Sequence, residues 1–116
     1  MSLLVSRNTG ILILMPVGRL DTYTSPEAES TIRRCIDEGE RRIVMDFAQT
    51  SYLSSAGLRV ILTTAKRLKA PEGGFALCNV PETVRQVLEM TGLANLIPNH
   101  PTLDEAITSL APPAAG

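Results

Sequence analysis

Hydrophobic positions along the chain follow two different periods. Short apolar runs, several of them rich in β-branched residues, predict strands at residues 3–7, 11–17, 42–47 and 75–80. Between and after these runs, apolar residues recur every three to four positions, which predicts four helices. This alternation predicts an α/β domain, with a small mixed, largely parallel sheet of four to five strands and about four helices mainly on one face.

Cap residues predict where the first two helices begin and end. Thr24 followed by Glu27 forms a capping-box pattern, and the pair Ser25–Pro26 offers a competing start one residue later. Gly39 ends this first helix, because glycine readily adopts the left-handed conformation common at helix ends. From Ser55 onward the apolar period becomes helical again, which predicts the start of the second helix.

The last two helices carry similar signals. Asn79 and Glu82 form a further capping pair, and Gly92 stops the third helix. Thr102 and Glu105 open the fourth helix. The pattern therefore places both helices in the final third of the chain.

The connecting segments carry turn signals of their own. Asn8 and Gly10 suit a hairpin turn between the first two strands. Pro16 has no N–H, so we expect its end of the second strand to lie at a sheet edge or a bulge. Residues 48–51 predict a polar loop, and residues 93–98 predict a short edge strand.

Composition narrows the class of protein. The 116 residues suit one domain, assigned to residues 1–110, and we expect residues 111–116 to form a disordered tail. Hydrophobic residues make up 44% and charged residues 20%, as in a folded soluble protein. A net charge of −1 and an aromatic content of 3% argue against nucleic-acid binding, which needs basic patches and stacking platforms.

Hydropathy gives no reason to expect a membrane protein. The longest apolar run, residues 11–15, is far too short to cross a bilayer. The N-terminal segment has no basic region before its apolar run, as a secretory signal would. We therefore expect a cytoplasmic protein with no membrane contact.

Conventional catalytic chemistry is disfavoured by the motifs. Cys35 and Cys78 have no metal-ligand spacing and lie in apolar patterns, which favours buried, reduced thiols. Phosphate-binding glycine loops and a nucleophile elbow are both missing from the sequence. His100, the only histidine, is expected in a solvated turn beside Pro101. We predict no enzyme, no cofactor and no metal site.

The adjacent serines Ser54 and Ser55 are the feature that composition does not explain. A serine before an apolar-periodic helix satisfies free backbone N–H groups, and this capping stabilises a helix by about 1 kcal/mol. One hydroxyl suffices for that role. The small residues that follow, Ala56 and Gly57, leave the backbone at the helix entrance accessible to a partner, which capping alone does not require.

The run MDFAQTSYLSSAGLRVIL, residues 45–62, resembles the signature of STAS domains, in particular bacterial anti-sigma-factor antagonists. Three further segments resemble the same family in the same order: GRLDTYTSPEAES, GGFALCNVPETVRQVLEMTGL and TLDEAITSL. The resemblance extends over about residues 3 to 110, nearly the whole chain. Agreement of four segments in one order is more specific than any one of them.

The resemblance implies a partner switch. In this family the unphosphorylated antagonist binds a GHKL-type serine kinase that is itself an anti-sigma factor, and binding releases the sigma factor. The kinase uses ATP to phosphorylate one serine of the antagonist, which abolishes tight binding, and a PP2C-type phosphatase reverses the modification. The expected free form is a monomer, and the expected partners are these two proteins.

Motif position maps the phosphoacceptor to Ser55. The family often has Asp immediately before that serine, and the change leaves Ser54 as a second candidate acceptor. Asp21 matches the Leu-Asp of the family's first loop, which lies beside the acceptor and contacts the kinase. The resemblance thus implies a partner-binding surface of Asp21, Thr22, Ser54, Ser55, Ala56, Gly57, Leu58 and Arg59.

The residues themselves also allow other roles and other functions. Asp21 suits an ordinary turn or cap, and Arg59, on the same helical face as Ser55, suits a solvated arginine as well as a phosphate contact. A second hypothesis is a STAS regulatory or scaffold module in another signalling assembly, or one that senses a nucleotide or lipid. A third, a serine hydrolase built on Ser55, requires His100 as its base.

Overall fold

The computed structural model describes residues 2–69 and 73–110. Most of this length is regular secondary structure. The strands are β1 (Ser2–Asn8), β2 (Ile11–Leu20), β3 (Arg42–Asp46), β4 (Thr50–Leu53), β5 (Gly74–Cys78) and β6 (Asn99–His100). The helices are α1 (Ser25–Asp37), α2 (Ser55–Arg67), α3 (Glu82–Met90) and α4 (Leu103–Leu110), with one 3-10 turn at Leu93–Asn95.

These strands form one mixed sheet in the order β1-β2-β3-β5-β6. β1 runs antiparallel to β2, whereas β3, β5 and β6 continue the sheet in parallel. β4 pairs in parallel with the last three residues of β2, and this pairing contains a register shift between Gly18 and Arg19. The predicted class, a small and largely parallel sheet with four helices, is confirmed, and the short strands β4 and β6 bring the sheet to six strands.

Each strand divides its apolar side chains between two faces, as the period of two requires. Helices α1, α2 and α3 cover one face and bury Leu12, Leu14 and their neighbours in a large cluster. On the opposite face, α4 covers a smaller cluster that includes Ile11 and Ile13. The helices therefore lie mainly on one face, as predicted, and α4 is the exception.

The hairpin and Pro16 have simple geometric explanations. The β1–β2 turn places Thr9 at φ +52° and Gly10 at φ +81°, left-handed values that suit a tight hairpin. Pro16 lies between the part of β2 that pairs with β3, which ends at Leu14, and the part that pairs with β4, which begins at Gly18. Its missing N–H therefore costs no bond on that side of β2. Of the two expected settings, a sheet edge or a bulge, the structure shows no edge, since β2 pairs on both sides, but it has an irregularity in the β2–β4 pairing at Gly18–Arg19.

The predicted ends of α1 and α3 and the predicted start of α4 agree with the structure. Gly39 has φ +114° and Gly92 has φ +80°, and both follow the last turn of their helices. At α4, the Thr102 hydroxyl accepts a hydrogen bond from the Glu105 N–H at 3.2 Å. These three predictions are confirmed.

Two predicted caps are wrong. Thr24 is the residue before α1, but its side chain makes no cap hydrogen bond to the helix. Its hydroxyl instead accepts from the Asp21 N–H and donates to the Arg19 carbonyl. Asn79 adopts φ +51° and donates its amide N–H to the Asp46 carboxylate, so α3 begins after Pro81 without a side-chain cap. In both places another partner competes for the polar side chain: nearby residues before the helix for Thr24, and Asp46 of β3 for Asn79.

Two predicted connections are also corrected. The expected loop at 48–51 ends early, because Thr50 already begins β4 and its hydroxyl donates to the Pro16 carbonyl at 2.8 Å. Residues 93–98 contain a 3-10 turn at Leu93–Asn95 rather than a strand, and Leu93 and Ile97 are buried with helical spacing. The edge strand is β6 instead. The tail prediction for 111–116 lies outside the described residues, and the domain limit at 110 stays a prediction.

Candidate functional site

Pairing between β2 and β4 brings the two predicted contact segments together. Arg19 lies opposite Tyr52, and Leu20 lies opposite Leu53. The Ser54 N–H then donates to the Leu20 carbonyl at 3.0 Å. Since Asp21 follows Leu20 directly, the Asp21 loop and the entrance of α2 are neighbours, although they are distant in the sequence.

The two serines have different environments. Ser54 has an extended backbone, and its Oγ accepts a hydrogen bond from the Gly57 N–H at 3.3 Å, so Ser54 is the helix cap. Ser55 is the first residue of α2, and its side chain is exposed. Within the described ranges its hydroxyl makes no hydrogen bond. Capping therefore uses Ser54 and leaves the Ser55 hydroxyl free.

Gly57 is the point of closest approach between α2 and the two strands. A Cβ built on Gly57 would lie 2.5 Å from Leu53 Cδ1 and 2.7 Å from the Leu20 carbonyl oxygen. The carbonyl belongs to the backbone and already accepts from Ser54, so it has little freedom to move. Glycine is therefore needed here for packing, and Gly57 itself is buried.

The carboxylate of Asp21 organises the loop between β2 and α1. It accepts hydrogen bonds from the N–H groups of Tyr23 at 3.0 Å and Thr24 at 3.2 Å, and from Arg19 Nε at 3.3 Å. Burial acts to raise the pKa of Asp21, but these hydrogen bonds and that of the Thr24 hydroxyl outweigh it and hold the pKa below its ordinary value of 3.8. The geometry thus gives Asp21 the turn-forming role that was one alternative, at a position beside the α2 entrance.

The other predicted contact residues differ in exposure. Thr22 and Arg59 are exposed, whereas Ala56 and Leu58 are half-buried. Arg59 and Leu58 line a shallow depression of about 290 Å³ together with Ser55. The structure therefore gathers the predicted residues at one end of the molecule.

Sequence reasoning missed an aromatic group at this end. Tyr23 is 92% exposed and Tyr52 is 43% exposed, and they are the only tyrosines in the chain. The Arg19 guanidinium lies 4.3 Å from the centre of the Tyr52 ring, within the range of a cation–π contact. Tyrosine and arginine are enriched at protein interfaces, and Arg19, Tyr23 and Tyr52 share that composition. Tyr23 and Tyr52 lie within two of the segments that resemble the family, and this position was the signal available in the sequence.

His100 does not lie in the solvated turn that we expected. It is half-buried on β6, opposite Cys78 of β5, because the pairing of β6 draws this segment onto the sheet. Its Nε2 atom is buried without a hydrogen-bond partner among the described residues. His100 lines a depression with Asn79 and Arg85 that shares no residue with the one at Ser55. The base required by the hydrolase hypothesis is therefore placed at a separate surface.

The thiols and the other ionisable groups do not suggest a reactive centre. Cys78 is buried on β5, and desolvation together with the neighbouring Asp46 carboxylate raises its pKa to about 12. Cys35 is half-buried on α1. Residues 2–69 and 73–110 contain no group of three or more His, Cys, Asp or Glu arranged to hold a metal ion. No helix in those two ranges is long and apolar enough to span a bilayer.

Comparison with known proteins identifies the family to which this chain belongs. The family model for the STAS domain matches residues 2–106. BtrV of Bordetella bronchiseptica, a candidate anti-sigma factor antagonist, is 36% identical over 84% of each chain. The anti-sigma F factor antagonist of Paenibacillus polymyxa is 31% identical over 91% of this chain and 92% of its own. The chain belongs to the STAS-domain family of anti-sigma factor antagonists.

A solved structure extends the agreement to three dimensions. The crystal structure of an anti-sigma factor antagonist from Mycobacterium paratuberculosis superposes with a TM-score of 0.89 at 28% identity, over 96% of this chain and 94% of that one. The sheet and the helices described above are therefore those of the family. The names of these relatives describe regulatory proteins rather than enzymes.

Proposed function

We propose that this protein is the antagonist of a partner-switching system in the bacterial cytoplasm. Its unphosphorylated form binds a GHKL-type serine kinase that is also an anti-sigma factor. Transfer of a phosphoryl group to Ser55 ends the binding, and a PP2C-type phosphatase restores it. The observation that carries the proposal is the free, exposed Ser55 hydroxyl at the first position of α2, beside a loop shaped by Asp21.

The position of Ser55 suits a reversible modification. The γ-phosphoryl group of ATP passes to Ser55 Oγ, ADP leaves and the hydroxyl proton is released. The phosphatase hydrolyses the new ester with water and returns serine and phosphate. A phosphate at a helix N-terminus meets the positive end of the helix dipole and free N–H groups, so the fold tolerates it.

The same phosphate acts strongly on a complex. It adds a charge of about −1.5 to −2 and three acceptor oxygens, at a surface that binding would remove from water. Desolvation of that charge opposes docking, while the isolated protein keeps the charge hydrated. The modification therefore controls binding rather than folding.

The hydrogen bonds at the helix entrance favour Ser55 over Ser54 as the acceptor. Ser54 Oγ accepts the Gly57 N–H, and its backbone N–H is bound to the Leu20 carbonyl. A kinase would have to break the cap hydrogen bond to phosphorylate Ser54, whereas the Ser55 side chain is already exposed. Arg59 lines the same depression as Ser55 and offers a cation to the phosphate or to a partner carboxylate.

Phosphorylation in a defined mixture tests the proposal. Each GHKL-type kinase of the source bacterium is purified and incubated with the protein and ATP, and the intact mass is measured. We expect one kinase to add a single phosphoryl group to the unsubstituted protein and to Ser54→Ala, but none to Ser55→Ala. Equal phosphorylation of Ser55→Ala would contradict the assignment of the site.

Binding provides the second measurement. Ser55→Asp should weaken the complex with that kinase, while Ser55→Ala should keep it, because only the aspartate brings a charge to the interface. The unfolding midpoint of Ser55→Asp should match or slightly exceed that of the unsubstituted protein, since a carboxylate at the start of a helix is favourable by about 0.3–1 kcal/mol. A large loss of stability in Ser55→Asp would remove the argument for a binding switch.

A further inference from the structure

The depression at Ser55 continues along α2. A second depression of about 350 Å³ lies between α2 and the segment after α3, and it shares Leu62 and Leu93 with the first. We call the two together the α2 groove. The groove runs from Ser55 at the start of α2 to Lys69 just beyond its end.

The walls of the α2 groove are mainly apolar. Leu96 stands at its side with 71% of its surface exposed, and Leu62 and Ala65 are half-buried on α2. Phe75 and Ile97 are buried beneath them. One exposed leucine is ordinary on a protein surface. Here it adjoins a concave, mainly apolar wall, into which the apolar face of an amphipathic helix fits.

Charge along the α2 groove has one sign. Arg59, Lys66 and Lys69 line it, and none of the lining residues is acidic, although the chain has 12 acidic against 11 basic residues. Among the described residues these three cations form no ion pair, whereas arginines elsewhere, such as Arg33 and Arg85, are paired with glutamates. The cations are therefore available to acidic groups of a partner.

We propose that the α2 groove binds an acidic amphipathic helix presented by the kinase partner. The part of the groove from Leu58 to Lys69, beyond the acceptor serine, is about 16 Å long, since a helix rises about 1.5 Å per residue, and it accommodates about three turns of a bound helix. Leucine-sized side chains on one face of that helix would fill the apolar walls, and Asp or Glu on its flank would meet Lys66 and Lys69. Continuity with Ser55 makes the groove the distal half of one interface, and the inference rests in this respect on the proposed function.

Charge reversal at the distal end tests the inference. Lys66→Glu should weaken binding to the phosphorylating kinase roughly tenfold, because it sets like charges against each other. Arg34→Glu is the matched control: Arg34 is an exposed cation in the last turn of α1, as Lys66 is in the last turn of α2, so net charge and helix dipole change equally. The control should bind within twofold of the unsubstituted protein.

A second pair of variants, which replaces apolar residues by aspartate, tests the groove independently. Leu96→Asp should also weaken binding roughly tenfold, since it places a charge in the apolar wall. Met90→Asp is its control, because Met90 on α3 is 86% exposed and lies outside the groove. Denaturation curves of both variants establish that they fold, and both native side chains are too exposed for a large loss of stability.

The outcomes separate the two proposals. If the unsubstituted protein binds the kinase, Ser55→Asp does not, and Lys66→Glu and Leu96→Asp bind as well as their controls, the α2 groove inference is wrong and the proposed function stands. If no kinase binds the unsubstituted protein, both are wrong. In the complex, the methyl NMR signals of Leu62, Leu93 and Leu96 should shift. Unchanged signals would also contradict the inference that the α2 groove binds the kinase.

Discussion

Replacing Gly57 with alanine tests the close packing that joins α2 to the strands beneath it. The new Cβ would lie 2.5 Å from Leu53 Cδ1 and 2.7 Å from the Leu20 carbonyl oxygen, and real Cβ contacts are not this short. Leu53 can turn its side chain away, but the carbonyl is held by the Ser54 N–H at 3.0 Å. The helix entrance itself must therefore move.

The change in the free energy of unfolding for Gly57→Ala is the difference between two opposing contributions. Inserting a methyl group into a well-packed site costs about 1–3 kcal/mol. Alanine also favours a helix over glycine by up to about 1 kcal/mol. Because Gly57 is buried and one contact is with the backbone, the packing cost prevails, and we expect a net loss of about 1–2 kcal/mol in the free energy of unfolding.

Urea denaturation followed by circular dichroism measures this loss. Leu53→Ala alone should cost about 2–5 kcal/mol, because Leu53 is a buried core residue. In the Leu53→Ala background, Gly57→Ala should cost less than it does alone, since the shortest of the two contacts is gone, and the coupling should exceed about 0.5 kcal/mol. Equal or greater stability of Gly57→Ala would refute the packing argument.

Three further predictions concern the same region and the core. Ser54→Ala should lower stability by about 1 kcal/mol in the same urea assay, whereas Ser55→Ala should change it by less than about 0.5 kcal/mol, because only Ser54 caps α2; equal losses would contradict that division. The folded pKa of Asp21 lies below 3.8, so its carboxylate stabilises the fold above that pH and the contribution disappears as the pH falls through the folded pKa. Asp21→Asn should therefore be less stable at pH 7 and approach the unsubstituted protein in acid, and a difference independent of pH would count against the hydrogen bonds. Cys78, with a pKa of about 12, should resist iodoacetamide at pH 8 until the protein unfolds, while Cys35 reacts earlier, as mass spectrometry would report; early labelling of Cys78 would show that it is not held in the core.

The division of roles between the two serines bears on how the proposed switch would work. Ser54 holds the cap of α2 and Ser55 is free, so modification of Ser55 would leave the cap hydrogen bond in place. In that proposal the α2 entrance changes in charge while its backbone keeps the same shape.

Competition from other hydrogen-bond partners decided which capping predictions succeeded. Among the described residues the Thr102 hydroxyl makes no competing hydrogen bond, and it caps α4. Thr24 has the same sequence pattern, but Asp21 and Arg19 lie within reach and take its hydroxyl. Asn79 is likewise drawn away by Asp46 on β3. A capping pattern covers only four residues, so it omits both Asp21, which precedes Thr24 by three residues, and Asp46 on β3.

Periodicity alone determined much of this protein. The two hydrophobic periods predicted α1 to α4, most of the strands and the class of fold, because burial of an apolar face depends on spacing within one segment. The serine pair and the Asp21 motif also came from the sequence, through resemblance to a family. The strand predicted from the local pattern at 93–98 was wrong, because burial of Leu93 and Ile97 favours a turn there.

Tertiary structure decided how these parts meet. Pairing of β4 with β2 places Asp21 beside Ser54, and the same close approach leaves no room for a side chain at Gly57. The α2 groove arises only because Leu62 and Leu93 come together from separate segments. Register and adjacency depend on contacts between residues far apart in the chain, so a pattern of neighbouring residues could supply the elements of the site but not its shape.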